Sequence, residues 1–297
     1  MKTLDIKKVL VPLDFSETSL LALDHASYMA RLFNAQLILL HVVAQKWTVF
    51  NRERMEIVER DMQEHLEFAE REMRMLAENI RTTYELKEVE YTCATGNVSR
   101  AIVNYAEKKG VDIIVMGTHG ASGFEEKFIG SNAYRVVNDS SCPVITIQSH
   151  RIEKGFYRLL LPIDESIHSM QKVDPAVELA KKYHSTIHLL GLAPTHDPAE
   201  ITEASRRLDR VEGYLTHRGI PTEHSLLTGT NYAKLTMEMA REKKMDLVVI
   251  MTEWEKEVTG IFIGPFARQV VNHCPIPVMT IRPEVKEELI PSKVAYY

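Results

Sequence analysis

An internal repeat is the feature of the sequence that most constrains its fold. The segment KKVLVPLDFS at residues 7–16 returns as YRLLLPIDES at 157–166, which places Asp14 opposite Asp164 at an offset of 150. The run AQLILLHVV that follows the first segment returns at the same offset as STIHLLGLA. Similarity at a constant offset over successive segments indicates that one structural unit occurs twice.

The later parts of the two copies match at a different offset. FIGSNAYRVVNDSSCPVITI at residues 128–147 corresponds to FIGPFARQVVNHCPIPVMTI at 262–281, at an offset of 134. The second copy is therefore 16 residues shorter in its middle. A length of 297 residues also suits two domains. We predict one domain over residues 1–150 and a second over 151–297.

Each copy alternates strand and helix patterns. The run VLVPL, apolar without polar alternation, is typical of a strand that is buried on both faces. Ser16 is a candidate helix N-cap, and the apolar residues that follow it recur at helical spacing: Ala22, Ala26, Met29 and Phe33. This alternation predicts an α/β fold, with a parallel sheet in each half and helices on both of its faces.

Two helical segments carry predictions of their own. The segment from Trp47 to about Ile80 has a methionine-rich apolar stripe, which we interpret as core packing rather than as a binding groove. In the second copy, Pro175 falls where the first helix should be in mid-course. That helix either kinks at the proline or starts late, near Asp174.

The composition excludes several classes of protein. A net charge of −5 gives no support to a nucleic-acid-binding surface, which usually carries a basic stripe. No apolar run approaches the roughly 20 residues that span a bilayer, and the N-terminus lacks the features of a signal peptide. Cys93, Cys142 and Cys274 form no CxxC pair, so neither a disulfide framework nor a zinc site is indicated. We expect a cytoplasmic protein with reduced thiols.

Gly117, Gly120 and Gly130 punctuate the segment GTHGASGFEEKFIGS. Ligands of open α/β sheets bind beyond the carboxyl ends of the strands, where the strand order reverses. In a strand order of 3-2-1-4-5, the first strand, which ends at Asp14, and the fourth, which ends at Met116, would face each other there. The helix that begins after Gly130 would offer free N–H groups to an anion, and glycine lets backbone approach a phosphate. The alternative is that these glycines only form a flexible surface loop.

The spacing Gly-x2-Gly-x9-Gly-Ser follows a buried strand and precedes a helix and the strand CPVITI. This pattern resembles the ATP-binding signature of the universal stress protein family. The segment VLVPLDFSETSLLALDHA looks like that family's first strand and helix, and the resemblance covers nearly the whole chain as a tandem pair. It implies a five-stranded flavodoxin-like or Rossmann-like α/β sandwich in each half. It also implies an ATP-binding module that serves regulation or stress response.

The resemblance implies a nucleotide-binding set in the first half. Adenine would be held by backbone at the end of the second strand, at Val42, and Asp14 would lie near the ribose or a metal–phosphate group. The glycine segment would line the ribose and the triphosphate of ATP, which is expected together with Mg²⁺. The implied residues are Pro12, Asp14, Val42, Met116, Gly117, Gly120, Gly130, Ser131 and Asn132. No side chain is assigned as catalytic or as a resident metal ligand.

Two classes of function stay open from the sequence. The first is a nucleotide-dependent binding module, and the alternative is a slow ATPase or a phosphoryl- or adenylyl-transferring enzyme on the same fold. The Walker motif GxxxxGK[ST] and the hydrolase motif GxSxG are both absent. The glycine segment has no obvious general base or arginine finger beside it, which favours the binding module.

The last strands of the two halves, PVITI and PVMTI, are apolar on both faces. In the order 3-2-1-4-5 each would lie at a sheet edge, where an exposed apolar strand invites uncontrolled pairing. We predict that the two fifth strands pair with each other, which makes the chain an internal pseudo-dimer. A homodimer of chains and an unknown protein partner are left open.

The two copies differ in the glycine segment. Among the residues that change are three of the motif: Gly117 becomes Met251, Gly120 becomes Trp254 and Ser131 becomes Pro265. The aspartate after the first strand (Asp164) and the glycine before the last helix (Gly264) persist. The side chains of Met251 and Trp254 would stand where backbone has to touch phosphate, and Pro265 lacks an N–H. We predict that ATP binds to the first half and not to the second. The alternative is that the second half binds a less charged ligand that stacks on Trp254.

Overall fold

The computed structural model describes residues 4–44, 52–118, 129–148, 154–166, 169–252, 254–257 and 260–283. The first half contains β1 (Lys8–Leu13), α1 (Glu17–Phe33), β2 (Gln36–Ala44), α2 (Arg52–Thr83), β3 (Val89–Gly96), α3 (Val98–Lys109), β4 (Ile113–Gly117), α4 (Ser131–Asp139) and β5 (Val144–Ile147).

The second half repeats this order with two additions, a short 3₁₀ helix and a hairpin. Its elements are β6 (Arg158–Ile163), the 3₁₀ helix (Ser169–Lys172), α5 (Val173–Tyr183), β7 (Thr186–Ala193), α6 (Pro198–His217), β8 (Thr222–Thr228), α7 (Tyr232–Glu242), β9 (Leu247–Met251), β10 (Trp254–Glu257), β11 (Gly260–Ile263), α8 (Pro265–His273) and β12 (Val278–Ile281). Within the described residues, no helix combines the length and apolar character that a membrane span requires.

Ten strands form one continuous sheet in the order β3-β2-β1-β4-β5-β12-β9-β6-β7-β8. Within each half the neighbouring strands are parallel. Numbered within its own half, each set of five strands has the order 3-2-1-4-5. The predicted α/β fold with helices on both faces of a parallel sheet is confirmed. Strands β10 and β11 form a separate antiparallel hairpin that the sequence analysis did not anticipate.

The two halves join through their fifth strands, as predicted. Strands β5 and β12 pair antiparallel, and Ile145 lies opposite Met279 at the centre of the register. The hydroxyl of Thr146 donates to the carbonyl of Val278 at 3.3 Å, and that of Thr280 donates to the carbonyl of Val144 at 3.1 Å. The contacts on the two sides are equivalent, so a local two-fold axis relates the halves.

Two apolar layers cover the sheet, and each layer runs through both halves. One layer packs beneath α1, α2, α5 and α6, and its strand residues include Val9, Leu39, Leu161 and Leu189. The other packs beneath α3, α4, α7 and α8, and its strand residues include Leu10, Ile38, Leu160 and Leu190. Successive residues of a strand point to opposite faces, so strands buried on both faces need the continuous apolar runs that the sequence shows.

The helices depart from strict repetition at two places. Helix α2 has 32 residues and α6 has 20, which accounts for most of the difference in length between the copies. The apolar stripe of α2 is buried at Ala69, Met73, Ala77 and Ile80, in agreement with the core-packing interpretation. Helix α5 begins at Val173 after the 3₁₀ helix, so the predicted late start near Asp174 is confirmed.

Candidate functional site

Strands β1 and β4 are neighbours at the centre of the first half, where the strand order reverses. Pro12 is buried within β1, and Asp14 directly follows this strand with an exposed side chain. Its Oδ1 accepts the backbone N–H of Ser16 at 3.1 Å and the hydroxyl of Ser16 at 2.5 Å. These two bonds hold the carboxylate at the mouth of the crevice between the strand ends.

The turn between β1 and α1 is sharp. Phe15 has φ 62, in the left-handed region that non-glycine residues rarely occupy. Ser16 then caps α1, because its Oγ accepts the N–H of Ser19 at 3.2 Å. The predicted N-cap is therefore present, and the same serine positions both the helix and the Asp14 carboxylate.

The end of β2 is attached to the end of β1 by a histidine. The Nδ1–H of His41 donates to the carbonyl of Leu13 at 2.8 Å, and the rings of His41 and Phe15 lie 4.8 Å apart between centroids. Val42, the next residue along β2, is 9% exposed. Its backbone therefore lies beside the end of β1, next to the crevice.

The structure shows a packing reason for the glycine at position 117, in addition to the predicted approach of backbone to phosphate. A Cβ built on Gly117 would lie 2.8 Å from the carbonyl carbon of Thr18 and 3.0 Å from the nitrogen of Ser19. Contacts under 3.0 Å with backbone atoms cannot be tolerated without movement of the helix. The first turn of α1 thus fills the space that a side chain at this position would need. Met116, just before it, is buried in the layer beneath α3 and α4.

The described chain resumes at Ile129, next to the end of β4. The N–H of Gly130 donates to the carbonyl of Thr118 at 2.7 Å, and the N–H of Thr118 donates to that of Ile147 at 2.9 Å. Gly130 is the N-cap of α4, and as a glycine it has no side chain with which to cap this end of the helix. Gly120 lies outside the described residues, as do His119 and Lys127.

The N-terminus of α4 offers donors to an anion. Ser131 and Asn132 are exposed and occupy its first turn, where backbone N–H groups have no partner within the helix. The partial positive charge of the helix dipole adds to this attraction. The structure thus brings Pro12, Asp14, Val42, Met116 and the residues from Gly130 onwards to one end of the sheet.

The second half has the same strand order and the same turn after its first strand, but different side chains at the strand ends. Asp164 Oδ1 accepts the N–H of Ser166 at 3.1 Å, as Asp14 does from Ser16. Met251, the counterpart of Gly117, is buried at the end of β9, and β9 packs against the 3₁₀ helix. In the first half, α1 packs against Gly117 and leaves no room for a side chain there. In the second half, the corresponding helix α5 begins later, after the 3₁₀ helix, and Met251 occupies the position of the glycine.

Lys172 is a functional candidate that the sequence analysis missed. It lies at the end of the 3₁₀ helix and is 4% exposed, with its Nζ donating to the hydroxyl of Ser169 at 3.0 Å. The same hydroxyl accepts the N–H of Asp164 at 3.3 Å. Burial lowers the pKa of Lys172 to about 8, and the negative charge of Asp164 opposes this shift. The counterpart of Lys172 in the first copy is Ala22. The replacement of an apolar core residue by lysine was therefore the only signal in the sequence that could have indicated Lys172.

The hairpin β10–β11 corresponds in sequence to the glycine segment of the first half. Trp254 lies opposite Ile263 in this hairpin, and Gly264 is the N-cap of α8. Pro265 occupies the first turn of α8 and has no N–H to donate. Among the described residues, no cluster of three or more His, Cys, Asp or Glu side chains could hold a metal ion.

Comparison with known proteins gives the family. The profile of the universal stress protein family matches residues 5–148 and again residues 155–282. The chain belongs to the universal stress protein family. It is 32% identical over 149 residues to universal stress protein MJ0531 of Methanocaldococcus jannaschii, in an alignment that covers 50% of this chain and 85% of the relative.

Solved structures of the family agree with the fold. The crystal structure of a universal stress protein from Archaeoglobus fulgidus DSM 4304 has a TM-score of 0.72 to this chain at 20% identity, and the match covers 93% of this chain and 96% of that chain. At this identity the likeness shows the fold alone. A universal stress protein solved in complex with cAMP matches 49% of this chain and 98% of that chain, at 22% identity and a TM-score of 0.34.

Proposed function

We propose that this universal stress protein binds ATP in its first domain, residues 1–150, and acts as a nucleotide-dependent regulatory module of the stress response in the cytoplasm. Residues 151–297 would form the second domain, with a degenerate motif. The observation that carries the proposal is the N-terminus of α4, which begins at a glycine N-cap without a side chain and lies at the same end of the sheet as Asp14. The three cysteines are free thiols, in keeping with a reducing compartment.

Each part of the nucleotide has a counterpart among the residues of the first half. Pro12 and the backbone of Val42 would hold adenine, and Asp14 with the backbone of Met116 and Gly117 would face the ribose. Ser131 and Asn132 would donate their backbone N–H groups to the triphosphate, and Gly120 and Gly130 would let the backbone approach it, since the Gly130 N–H already donates to Thr118. Mg²⁺ binds mainly to phosphates and to one or two carboxylates, so the phosphates of ATP with the Asp14 carboxylate would be its ligands.

Bound ATP would supply the negative charge that these donors are arranged to receive. The residues would bind and orient the nucleotide mainly through backbone groups. Side chains would therefore contribute little to distinguishing one phosphate group from another. A protein partner would then read the nucleotide state of the domain. A homodimer of chains is a further candidate for such an assembly.

The second half is proposed not to bind ATP. Met251 is buried where the first half has Gly117, and Pro265 removes one donor from the start of α8. The buried ammonium of Lys172 lies near Asp164 and is held by Ser169, so this half already contains a cation at the end of β6.

The proposal predicts one ATP per chain, because, of the two corresponding helices, only α4 keeps the backbone N–H at its first position, which Pro265 removes from α8. Isothermal titration of the full chain with MgATP measures this stoichiometry directly. Ser131→Pro, which copies Pro265 into the first half, should weaken binding by at least about tenfold, since one phosphate donor is lost from the site. Mass spectrometry of nucleotide that co-purifies with the native protein would identify the physiological ligand.

The matched control is Pro265→Ser in the second half. This variant restores an N–H but leaves Met251 and Lys172 in place, so the stoichiometry should stay at one. Two equivalent sites in the unaltered protein would contradict the proposed asymmetry, and the absence of any binding would contradict the proposed function.

A further inference from the structure

The two halves touch beside the start of α8. Asn138, on α4 of the first half, accepts the backbone N–H of Ile263 with its Oδ1 at 3.0 Å. Ile263 ends β11 and directly precedes Gly264, the N-cap of α8. A side chain of one half therefore fixes the residue that leads into the helix N-terminus of the other.

The two-fold relation between the halves predicts a second contact of this kind. At the offset of 134, Asn138 corresponds to Asn272 and Ile263 corresponds to Ile129, and both copies read VVN at the asparagine. Ile129 is 9% exposed and directly precedes Gly130, the N-cap of α4.

The second contact is not formed. The Oδ1 of Asn272 is buried and has no hydrogen-bond partner, whereas the Oδ1 of Asn138 is paired. Buried polar atoms are nearly always paired in folded proteins, because an unpaired one loses its hydrogen bonds to water without replacement. Asn272 therefore carries a buried acceptor without a donor, and the two-fold relation assigns this acceptor to the contact beside the start of α4.

We propose that Asn272 is a positioning residue that the second half contributes to the ATP site of the first. In the ATP-bound chain, the N–H of Ile129 donates to Asn272 Oδ1, so that both symmetry-related contacts are present. The peptide between Ile129 and Gly130 leads directly into the phosphate-binding turn, and fixing it orients the donors of Ser131 and Asn132. The inference rests on the proposed function.

This arrangement gives the second half a role although its own site is degenerate. A contact that strengthens ATP binding must itself be strengthened by ATP to the same extent, because linkage is reciprocal. Occupancy of the first half would then tighten the contact between the halves near β5 and β12. A nucleotide signal would thus reach a surface that both halves share.

The test compares Asn272→Ala with its symmetry mate Asn138→Ala in the full chain. Titration with MgATP should show about fivefold to tenfold weaker binding for Asn272→Ala, which corresponds to one hydrogen bond. Asn138→Ala should bind ATP within about twofold of the unaltered protein, because its contact lies at the other helix. Without ATP, Asn138→Ala should lower Tm, while Asn272→Ala should leave Tm unchanged or raise it.

Amide hydrogen exchange supplies a readout that a purely structural role would not move. ATP should protect the amide of Ile129 in the unaltered protein and not in Asn272→Ala. Equal ATP affinity in the two proteins would overturn the role of Asn272 while leaving the proposed function intact. A ligand-free loss of Tm in Asn272→Ala as large as that in Asn138→Ala would also overturn it, since the contact would then be permanent. If the unaltered chain binds no ATP, the proposed function fails, and this role fails with it.

Discussion

At the scale of single residues, Gly117 belongs to the glycine motif and also allows α1 to pack closely against the end of β4. The spacing of the glycines was enough to find the position, and the strand order was enough to locate it beside β1. The reason for the glycine could not be predicted, because it depends on the approach of the first turn of α1 to within 3.0 Å of a missing Cβ. Such a contact joins segments that are far apart in the sequence.

A substitution at Gly117 measures this contact. Gly117→Ala places a Cβ 2.8 Å from the backbone of Thr18, so α1 has to shift, and the free energy of unfolding should fall by about 1–3 kcal/mol. Gly213→Ala is the matched control, because Gly213 lies inside α6 with no atom within 4 Å of its missing Cβ. The control should gain about 0.5–1 kcal/mol from helix propensity. Urea denaturation of both variants checks the prediction, which a neutral or stabilising Gly117→Ala would contradict.

At the scale of secondary-structure elements, the strands were the most predictable part. Continuous apolar runs such as VLVPL become strands covered on both faces, and Pro175 correctly indicated the late start of α5. The hairpin β10–β11 was not predicted, because its strands have four residues each and WEKE shows no apolar periodicity. The pairing of Asn138 with Ile263 was also missed, since the two residues are 125 positions apart.

The altered start of α5 buries Lys172, and its charge should make the stability of the chain depend on pH. In the folded chain the pKa of Lys172 is about 8, below its ordinary value of 10.5, because burial disfavours the ammonium. The unfolded chain therefore binds the proton more tightly, and folding carries a full penalty below pH 8. As pH rises from about 8 towards 10.5 this penalty disappears, so Lys172 opposes folding most strongly at neutral and acidic pH.

Lys172→Met should accordingly stabilise the chain at pH 7 by about 1–3 kcal/mol, and the gain should shrink by pH 10. Chemical denaturation at both pH values measures the difference. Lys234→Met serves as the control, because the Lys234 side chain on α7 is 67% exposed and its removal should give no comparable pH-dependent gain. A stabilisation by Lys172→Met that is the same at pH 7 and pH 10 would show that the charge of Lys172 is not the cause.

At the scale of the whole molecule, the two halves share one sheet and both apolar layers. The pairing of the fifth strands could be predicted from the sequence, because two apolar edge strands that pair with each other leave neither edge exposed. The local two-fold register at Ile145 and Met279 then follows from the duplication. The asymmetry of the site was predicted from the substituted motif residues, whereas the cross-half asparagines became visible only when the halves were seen together.

This continuity predicts that the chain unfolds as one cooperative unit. Met279 is fully buried at the centre of the β5–β12 pairing, and Met279→Ala should cost about 2–5 kcal/mol through lost burial and the cavity left behind. Each apolar layer contains residues of both halves. The substitution should therefore lower the midpoint temperature of a single unfolding transition, rather than cause one half to unfold before the other. Differential scanning calorimetry of the unaltered chain and of the variant measures this. Two separated endotherms in the unaltered chain would show that the halves fold independently despite their common sheet.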